Sequence, residues 1–222
     1  MHRDGPIVCL VTDRTRWADD RDGVEQVRRR LVELAGEAVA AGIDLLQVRE
    51  RGLETADLAA LVNDILAVTR GTPTRVVVND RLDVALACGA DGVHLRADSI
   101  APRAARSMVP TGFLVGRSVH QVDEAREQAA WVDYLLAGTM FPTSSKPSSV
   151  AWLGEGGLAA IVRAVRVPVL AIGGITVDRV AQVAEAGAAG VAAIGLFVPG
   201  EGRMGETVDA VRRQFDSVRA GS

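Results

Sequence analysis

The chain has 222 residues, of which 48% are hydrophobic, 24% charged and 4% aromatic, with a formal net charge of -3 and a pI near 5.7. Such a length suits one (β/α)8 barrel, and the composition is that of an ordinary globular core rich in Val, Leu, Ile and Ala. The charge balance argues against duplex DNA or an acidic membrane as partner, because both reward a large excess of Lys and Arg, so a small molecule is expected, with no nucleic acid and no membrane.

Met1 to Pro6 has no charged stretch leading into an apolar one, and no apolar run reaches bilayer length. A cytoplasmic protein is expected. Short β-branched runs then alternate with longer helical patterns, the sequence form of βα units around a parallel sheet. The first predicted strand, Ile7–Val11, contains Cys9 in an apolar run. Val24, Val27, Leu31, Leu34 and Ala38 follow at three- and four-residue steps and mark a helix face, with Arg28, Arg29 and Arg30 off it and solvated.

The remaining predicted strands are Leu45–Arg49, Arg75–Asn79, Gly92–Leu95, Leu114–Ser118, Tyr134–Gly138, Val169–Ile172 and Gly190–Ile194. Thr55 and Thr176 stand where helix N-caps belong, and Gly42, Gly89 and Gly187 where helices stop. Cys88 falls in a helical run and, with Cys9, reads as a reduced, buried thiol of a cytosolic protein. The irregular stretch from Thr139 to Gly157 is either a linker or a loop over a barrel mouth, and loops of this length in compact domains favour the latter. The fold expected is α/β, a (β/α)8 TIM barrel forming a single domain over residues 1–222.

Active sites of such barrels gather at the C-terminal ends of the strands. After the second strand, Gln47, Arg49 and Arg51 alternate with Val48 and Glu50, so period-two geometry points the three the same way. Guanidinium forks at a wet mouth suit phosphate or carboxylate oxygens; the alternative is surface pairing with Asp44, Glu50 and Glu54. The third strand ends in Asn79-Asp80. The fifth runs into Gly116-Arg117-Ser118-Val119-His120, which puts Ser118 and His120 on one face. An imidazole there could move a proton near neutral pH, although a lone histidine is more often a cap or a surface residue. Gly173 and Gly174 after the seventh strand, and Gly195 after the eighth, let backbone N–H groups approach an anion at the usual barrel phosphate position. Lys146 is the single lysine of the chain.

Gln47-Val48-Arg49-Glu50-Arg51, Val78-Asn79-Asp80-Arg81, Asp91-Gly92-Val93-His94-Leu95, Thr143-Ser144-Ser145-Lys146 and Ala171-Ile172-Gly173-Gly174-Ile175-Thr176 succeed one another in register from about Ile7 to the final helix. In this order and spacing the chain resembles the thiamine-phosphate synthase/TenI superfamily. The resemblance implies thiamine biosynthesis on a small phosphorylated thiazole, by one of two chemistries.

In the synthase branch it implies a hydroxymethylpyrimidine pyrophosphate bound by the second-strand motif and by Mg²⁺. The metal would sit on the Asp matching Asp80 and on a second Asp after the Val-His-Leu strand. Here that second position is Ser99, behind Arg96 and Ala97, and only Asp98, one residue earlier, could substitute. The Arg-Glu-Arg of the second strand and the Gly-Arg-Ser-Val-His of the fifth look like TenI. That branch implies a thiazole tautomerase needing no cofactor, with His120 as acid/base, Arg49 and less surely Arg51 compensating charge on the ring, and the glycines binding phosphate. Thr143, Ser145 and Lys146 keep the Thr-x-Thr-Lys lid pattern of synthases, and Gly195 replaces a serine usual in both branches.

These departures rank the tautomerase first. Ranked second is a synthase with Mg²⁺ on Asp80 and Lys146 at the departing charge, and third a non-catalytic regulatory barrel. Gln47, Asn79, Ser118, Thr143 and Ser145 complete the expected binding set. A homodimer is the base-rate expectation.

Overall fold

The computed structural model describes residues 5–16, 18, 23–143, 152–197 and 204–221. Eight parallel strands close into a barrel in sequence order: β1 (Ile7–Val11), β2 (Leu45–Val48), β3 (Arg75–Asn79), β4 (Gly92–Leu95), β5 (Leu114–Val119), β6 (Tyr134–Gly138), β7 (Val169–Ile172) and β8 (Gly190–Ala193). The helices that return the chain are α1 (Val24–Ala40), α2 (Thr55–Thr69), α3 (Leu82–Cys88), α4 (Pro102–Met108), α5 (Val122–Gln128), α6 (Gly154–Ala164), α7 (Val180–Glu185) and α8 (Met204–Ala220). The expected (β/α)8 barrel is what the chain forms. Among the described residues no helix is long and apolar enough to cross a membrane.

Strand alternation sorts the apolar residues into two layers. One set, including Val8, Leu46, Val76, Leu135 and Val191, packs outward against the helices. The other, Cys9, Val11, Leu45, Val77, Tyr134, Leu136, Leu170 and Ala192, fills the barrel. Tyr134 is among the largest fully buried side chains and lies against Gly116 on the neighbouring strand. A Cβ at position 116 would stand 2.6 Å from the Tyr134 Cε1 and closer still to Cζ and Oη, so only glycine leaves room for the ring.

At the opposite end from the strand C-termini, three aspartates each precede an even strand and accept from the backbone of the strand before. Asp44 takes the Val8 N–H at 3.0 Å, Asp91 the Val76 N–H at 2.8 Å, and Asp133 the Val115 N–H at 2.7 Å. Each also meets an arginine: Arg212, Arg75 and Arg106 respectively.

Several local expectations need correction. Arg49 and Ile194 lie just past the ends of β2 and β8, while β5 runs one residue further than Ser118. Thr55 is the first residue of α2, whose cap is Glu54, and its hydroxyl accepts instead from Arg81 at 3.0 Å; Thr176 makes no side-chain cap bond. Val24 is exposed, and the buried face of α1 uses Ala35 in its place. Arg28 is not simply solvated, since it pairs with Asp64 of α2 at 2.6 Å. Gly42, Gly89 and Gly187 do take left-handed conformations at helix ends. Cys9 and Cys88 are both free, and burial pushes the two thiols upward in pKa. The stretch expected to be irregular up to Gly157 is already helical at Gly154.

Candidate active site

The polar residues that end the strands converge on one mouth. Gln47, Arg49, Arg51, Asn79, Ser118, His120, Thr143 and Gly173 all line a cavity of about 400 Å³, together with Asp13, His94, Arg96 and Asp98. A second cavity of about 440 Å³ lies beside it and is lined by Gly173, Gly174, Thr176, Gly195, Arg16 and Arg179. The two share Thr143, Ile172, Gly173 and Ile194 as a common wall.

Period-two geometry beyond β2 behaves as expected: Gln47, Arg49 and Arg51 face the cavity, whereas Glu50 turns away and is buried. Arg49 pairs with Asp13 in place of the alternative surface partners Asp44, Glu50 and Glu54. Its Nη1 donates to Asp13 Oδ2 at 2.9 Å and its backbone N–H to Thr12 Oγ1 at 3.0 Å. Burial alone would raise the Asp13 pKa, but hydrogen bonds from Thr15 and Arg49 and the Arg49 charge outweigh it and hold the carboxyl low. Glu50 binds the Arg14 backbone N–H at 3.1 Å and fixes the 3₁₀ turn Arg14–Arg16 beside β2. Burial raises its pKa, against opposing bonds from Thr12 and Arg14. Burial lowers the Arg51 pKa, helped by the neighbouring charges of Arg49 and Arg96, so three guanidiniums crowd one wall.

Gln47 Nε2 donates to Asn79 Oδ1 at 2.9 Å, while Gln47 Oε1 is buried with no partner among the described residues. That leaves an acceptor for a donor on a bound ring. Ser118 continues a buried chain: its Oγ lies 2.9 Å from His94 Nε2, and His94 Nδ1 lies 3.2 Å from the Tyr134 hydroxyl. Burial, reinforced by the Arg117 charge, pushes the His94 pKa down to about 3, so this imidazole stays neutral near pH 7. His120 is a different kind of group. It is half-exposed at the rim, and Glu124 receives its backbone N–H at 2.7 Å and faces its Nδ1 at 3.6 Å.

Gly173 and Gly174 adopt φ values of 101° and 65°, which side chains rarely tolerate. A Cβ at position 174 would also come within 2.7 Å of the carbonyl oxygens of Phe141 and Pro142, so the turn is built for bare backbone. Arg179 donates to the Gly174 carbonyl at 2.9 Å and lies over the Phe141 ring at 5.0 Å. Gly195 opens the 3₁₀ turn Gly195–Phe197 on the far wall of the same cavity. Ser145 and Lys146 lie outside the described residues.

The Mg²⁺ implied by the resemblance is poorly matched by what surrounds Asp80. Asp80, at φ 62°, receives the Ser99 hydroxyl on Oδ1, and its Oδ2 faces Arg96 Nη1 at 3.5 Å. Ser99 Oγ in turn accepts the Arg96 backbone N–H at 2.8 Å. Asp98, the candidate replacement carboxylate, is taken by Arg96 Nη2. A guanidinium therefore stands between the two carboxylates. A hydroxyl and an arginine are not the oxygen-anion set a magnesium ion selects.

Sequence reasoning missed Asp13, Arg16, Arg117 and Arg179. Arg117 is buried and donates to the carbonyls of Ile100 at 3.0 Å and Ala97 at 2.8 Å, which clamps the loop carrying Arg96, Asp98 and Ser99. The polar cluster Asp13-Arg14-Thr15-Arg16 directly after β1 would have been found by the end-of-strand rule that singled out β2. Arg117 and Arg179 carried no such signal, because each acts through a backbone carbonyl, an acceptor that every residue offers.

A family model described as thiamine monophosphate synthase matches residues 9–197. The chain is 44% identical over 178 residues to the thiamine-phosphate synthase of Methanoregula boonei, covering 80% of this chain and 82% of that one. It is 41% identical over 193 residues to the thiamine-phosphate synthase of Methanoculleus marisnigri, covering 86% and 91%. The solved thiamine phosphate pyrophosphorylase of Pyrococcus furiosus superposes with a TM-score of 0.78 at 29% identity, over 95% of this chain and 96% of that one. A 3-hexulose-6-phosphate synthase, at 20% identity and a TM-score of 0.67, shares the fold. The relatives named as synthases back the coupling chemistry, which the sequence departures rank second, over the proton transfer they rank first. With 9–197 matched by the family model and identities above 40% to two synthases, the chain belongs to the thiamine monophosphate synthase family of enzymes.

Proposed function

We propose that the chain is a thiamine-phosphate synthase, coupling a hydroxymethylpyrimidine pyrophosphate to a thiazole phosphate. The reading takes it as one barrel domain acting in the cytoplasm. The observation that carries it is the pair of adjoining cavities, one walled by arginines and the other by glycine turns, with Thr143 and Gly173 in the lining of both. Two separately bound anionic substrates would occupy one site each and face a common point.

In the coupling step the thiazole ring nitrogen attacks the pyrimidine methylene carbon, and the carbon–oxygen bond to the diphosphate breaks. The electron pair leaves with pyrophosphate. On this reading Arg49, Arg51 and Arg96, which line the first cavity, would meet charge growing on that leaving group, and such stabilisation is often the largest catalytic contribution. The backbone at Gly173, Gly174 and Gly195, with Arg16 and Arg179 nearby, suits the thiazole phosphate. On this reading the Gln47 acceptor, Asn79 and Ser118 would bind polar atoms of the pyrimidine, since all three line the first cavity and the Gln47 Oε1 has no partner among the described residues. Ser145 and Lys146 belong to the lid pattern, and Lys146 remains the candidate for a further positive charge at the departing group.

The second reading, tautomerisation by His120, is favoured by the imidazole's place on the cavity wall beside Glu124. Supplying both synthase substrates to the purified protein separates the two. Thiamine phosphate is expected, with Arg49→Ala lowering kcat/KM by about 10²-fold and His120→Ala changing it by no more than about 3-fold. Failure to form thiamine phosphate, together with aromatisation of the thiazole that His120→Ala slows by about 10²- to 10⁴-fold, would reverse the assignment. Tight binding of phosphorylated ligands with turnover in neither assay would leave the regulatory barrel.

A further inference from the structure

Resting on the coupling reading for the identity of its diphosphate, the loop after β4 carries one more step. Arg96 is partly exposed, with 41% of its side-chain surface open. It lies between Asp80 and Asp98, held by one carboxylate at each Nη, with its backbone N–H tied to Ser99. Ser99 also donates to Asp80, so both oxygens of that carboxylate are engaged. Arg117 fixes the loop from beneath through Ala97 and Ile100. The Arg96 guanidinium faces the same cavity as Arg49 and Arg51, close enough to depress the Arg51 pKa.

We infer that Arg96 is a built-in counter-cation for the diphosphate, occupying by its own side chain the position where the resemblance implies a divalent metal, so that diphosphate binding in this chain needs no Mg²⁺. A guanidinium carries five N–H donors. With one Nη on Asp80 and the other on Asp98, donors remain for the oxygens of the leaving group. The carboxylates Asp80 and Asp98 then serve as positioning residues for Arg96.

Calorimetric titration of the full chain with inorganic pyrophosphate, in EDTA and in MgCl₂ at matched free pyrophosphate, tests this. Wild type is expected to bind in EDTA with a Kd within about 3-fold of that in Mg²⁺. Arg96→Ala should weaken binding in EDTA by about tenfold or more, the scale of losing charge-assisted hydrogen bonds. Magnesium should partly restore it by using the released Asp80 and Asp98. Arg96→Gln, which keeps the volume and part of the hydrogen bonding, should lie between the two, and circular dichroism of each variant checks the fold. Wild-type binding that appears only with Mg²⁺, or Arg96 variants that bind as wild type does in EDTA, would overturn the inference. A failed coupling assay alongside metal-free pyrophosphate binding would count against the coupling reading and leave this one standing.

Discussion

Arg117 offers the sharpest test of how the mouth is held together. Its two bonds go to the carbonyls of Ile100 and Ala97, at 3.0 and 2.8 Å, and the residue is buried. Hydrogen bonds from a charged donor contribute about 1.5–3 kcal/mol each. Burial opposes this, since it lowers the Arg117 pKa by penalising the charged form. The balance predicts that Arg117→Met destabilises the fold by about 2–4 kcal/mol, or roughly 4–16 °C in Tm for a chain of this size. Arg117→Lys keeps a charge but has no fork to span both carbonyls, so it should recover about half of that loss. Urea titration followed by circular dichroism reads both, as a shift in midpoint with the slope unchanged. A midpoint for Arg117→Met indistinguishable from wild type would refute the clamp and, with it, the positioning of Arg96 through this loop.

Gly116→Ala should cost about 1–3 kcal/mol or more, because the new methyl group must displace the buried Tyr134 ring from a tightly filled barrel. Thermal melting gives the value, and a neutral result would mean that the ring has space to yield. A third expectation concerns His94, whose folded pKa of about 3 lies below the ordinary value near 6.5. Between those values the unfolded chain holds a proton that the folded chain lacks. Its contribution is therefore complete above about pH 6.5 and declines by up to about 1.4 kcal/mol per pH unit as the pH falls toward 3. Stability curves of wild type and His94→Asn from pH 7 to 4 should diverge in slope by that amount. Parallel curves would show that His94 is not held neutral.

Most of the barrel was legible because a buried parallel strand needs little more than a short β-branched run, and five of the eight predicted strands have the observed ends. Positions at strand ends were also readable: alternation past β2 put Gln47, Arg49 and Arg51 on one wall, and β7 brought its glycines to the adjoining one. What escaped was contact across units. Nothing in the spacing says that Asp13 will take Arg49, or that the Val-His-Leu histidine will join Ser118 to Tyr134. The Arg96 to Ser99 stretch stands out in the sequence as a departure, but only the fold puts Arg96 between two carboxylates.

The aspartates beneath the strands give the barrel a graded seam. Asp44, Asp91 and Asp133 stitch β1 to β2, β3 to β4 and β5 to β6, but Ala189 stands at the equivalent place before β8 and has no side-chain oxygen to offer. Among the described residues, the hydrogen bonds that join β7 to β8 run through the main chain, and this is the quarter whose upper ends form the glycine turns of the second cavity. On the proposed reading, the side-chain stitches at the base lie away from the quarter that would receive the thiazole phosphate.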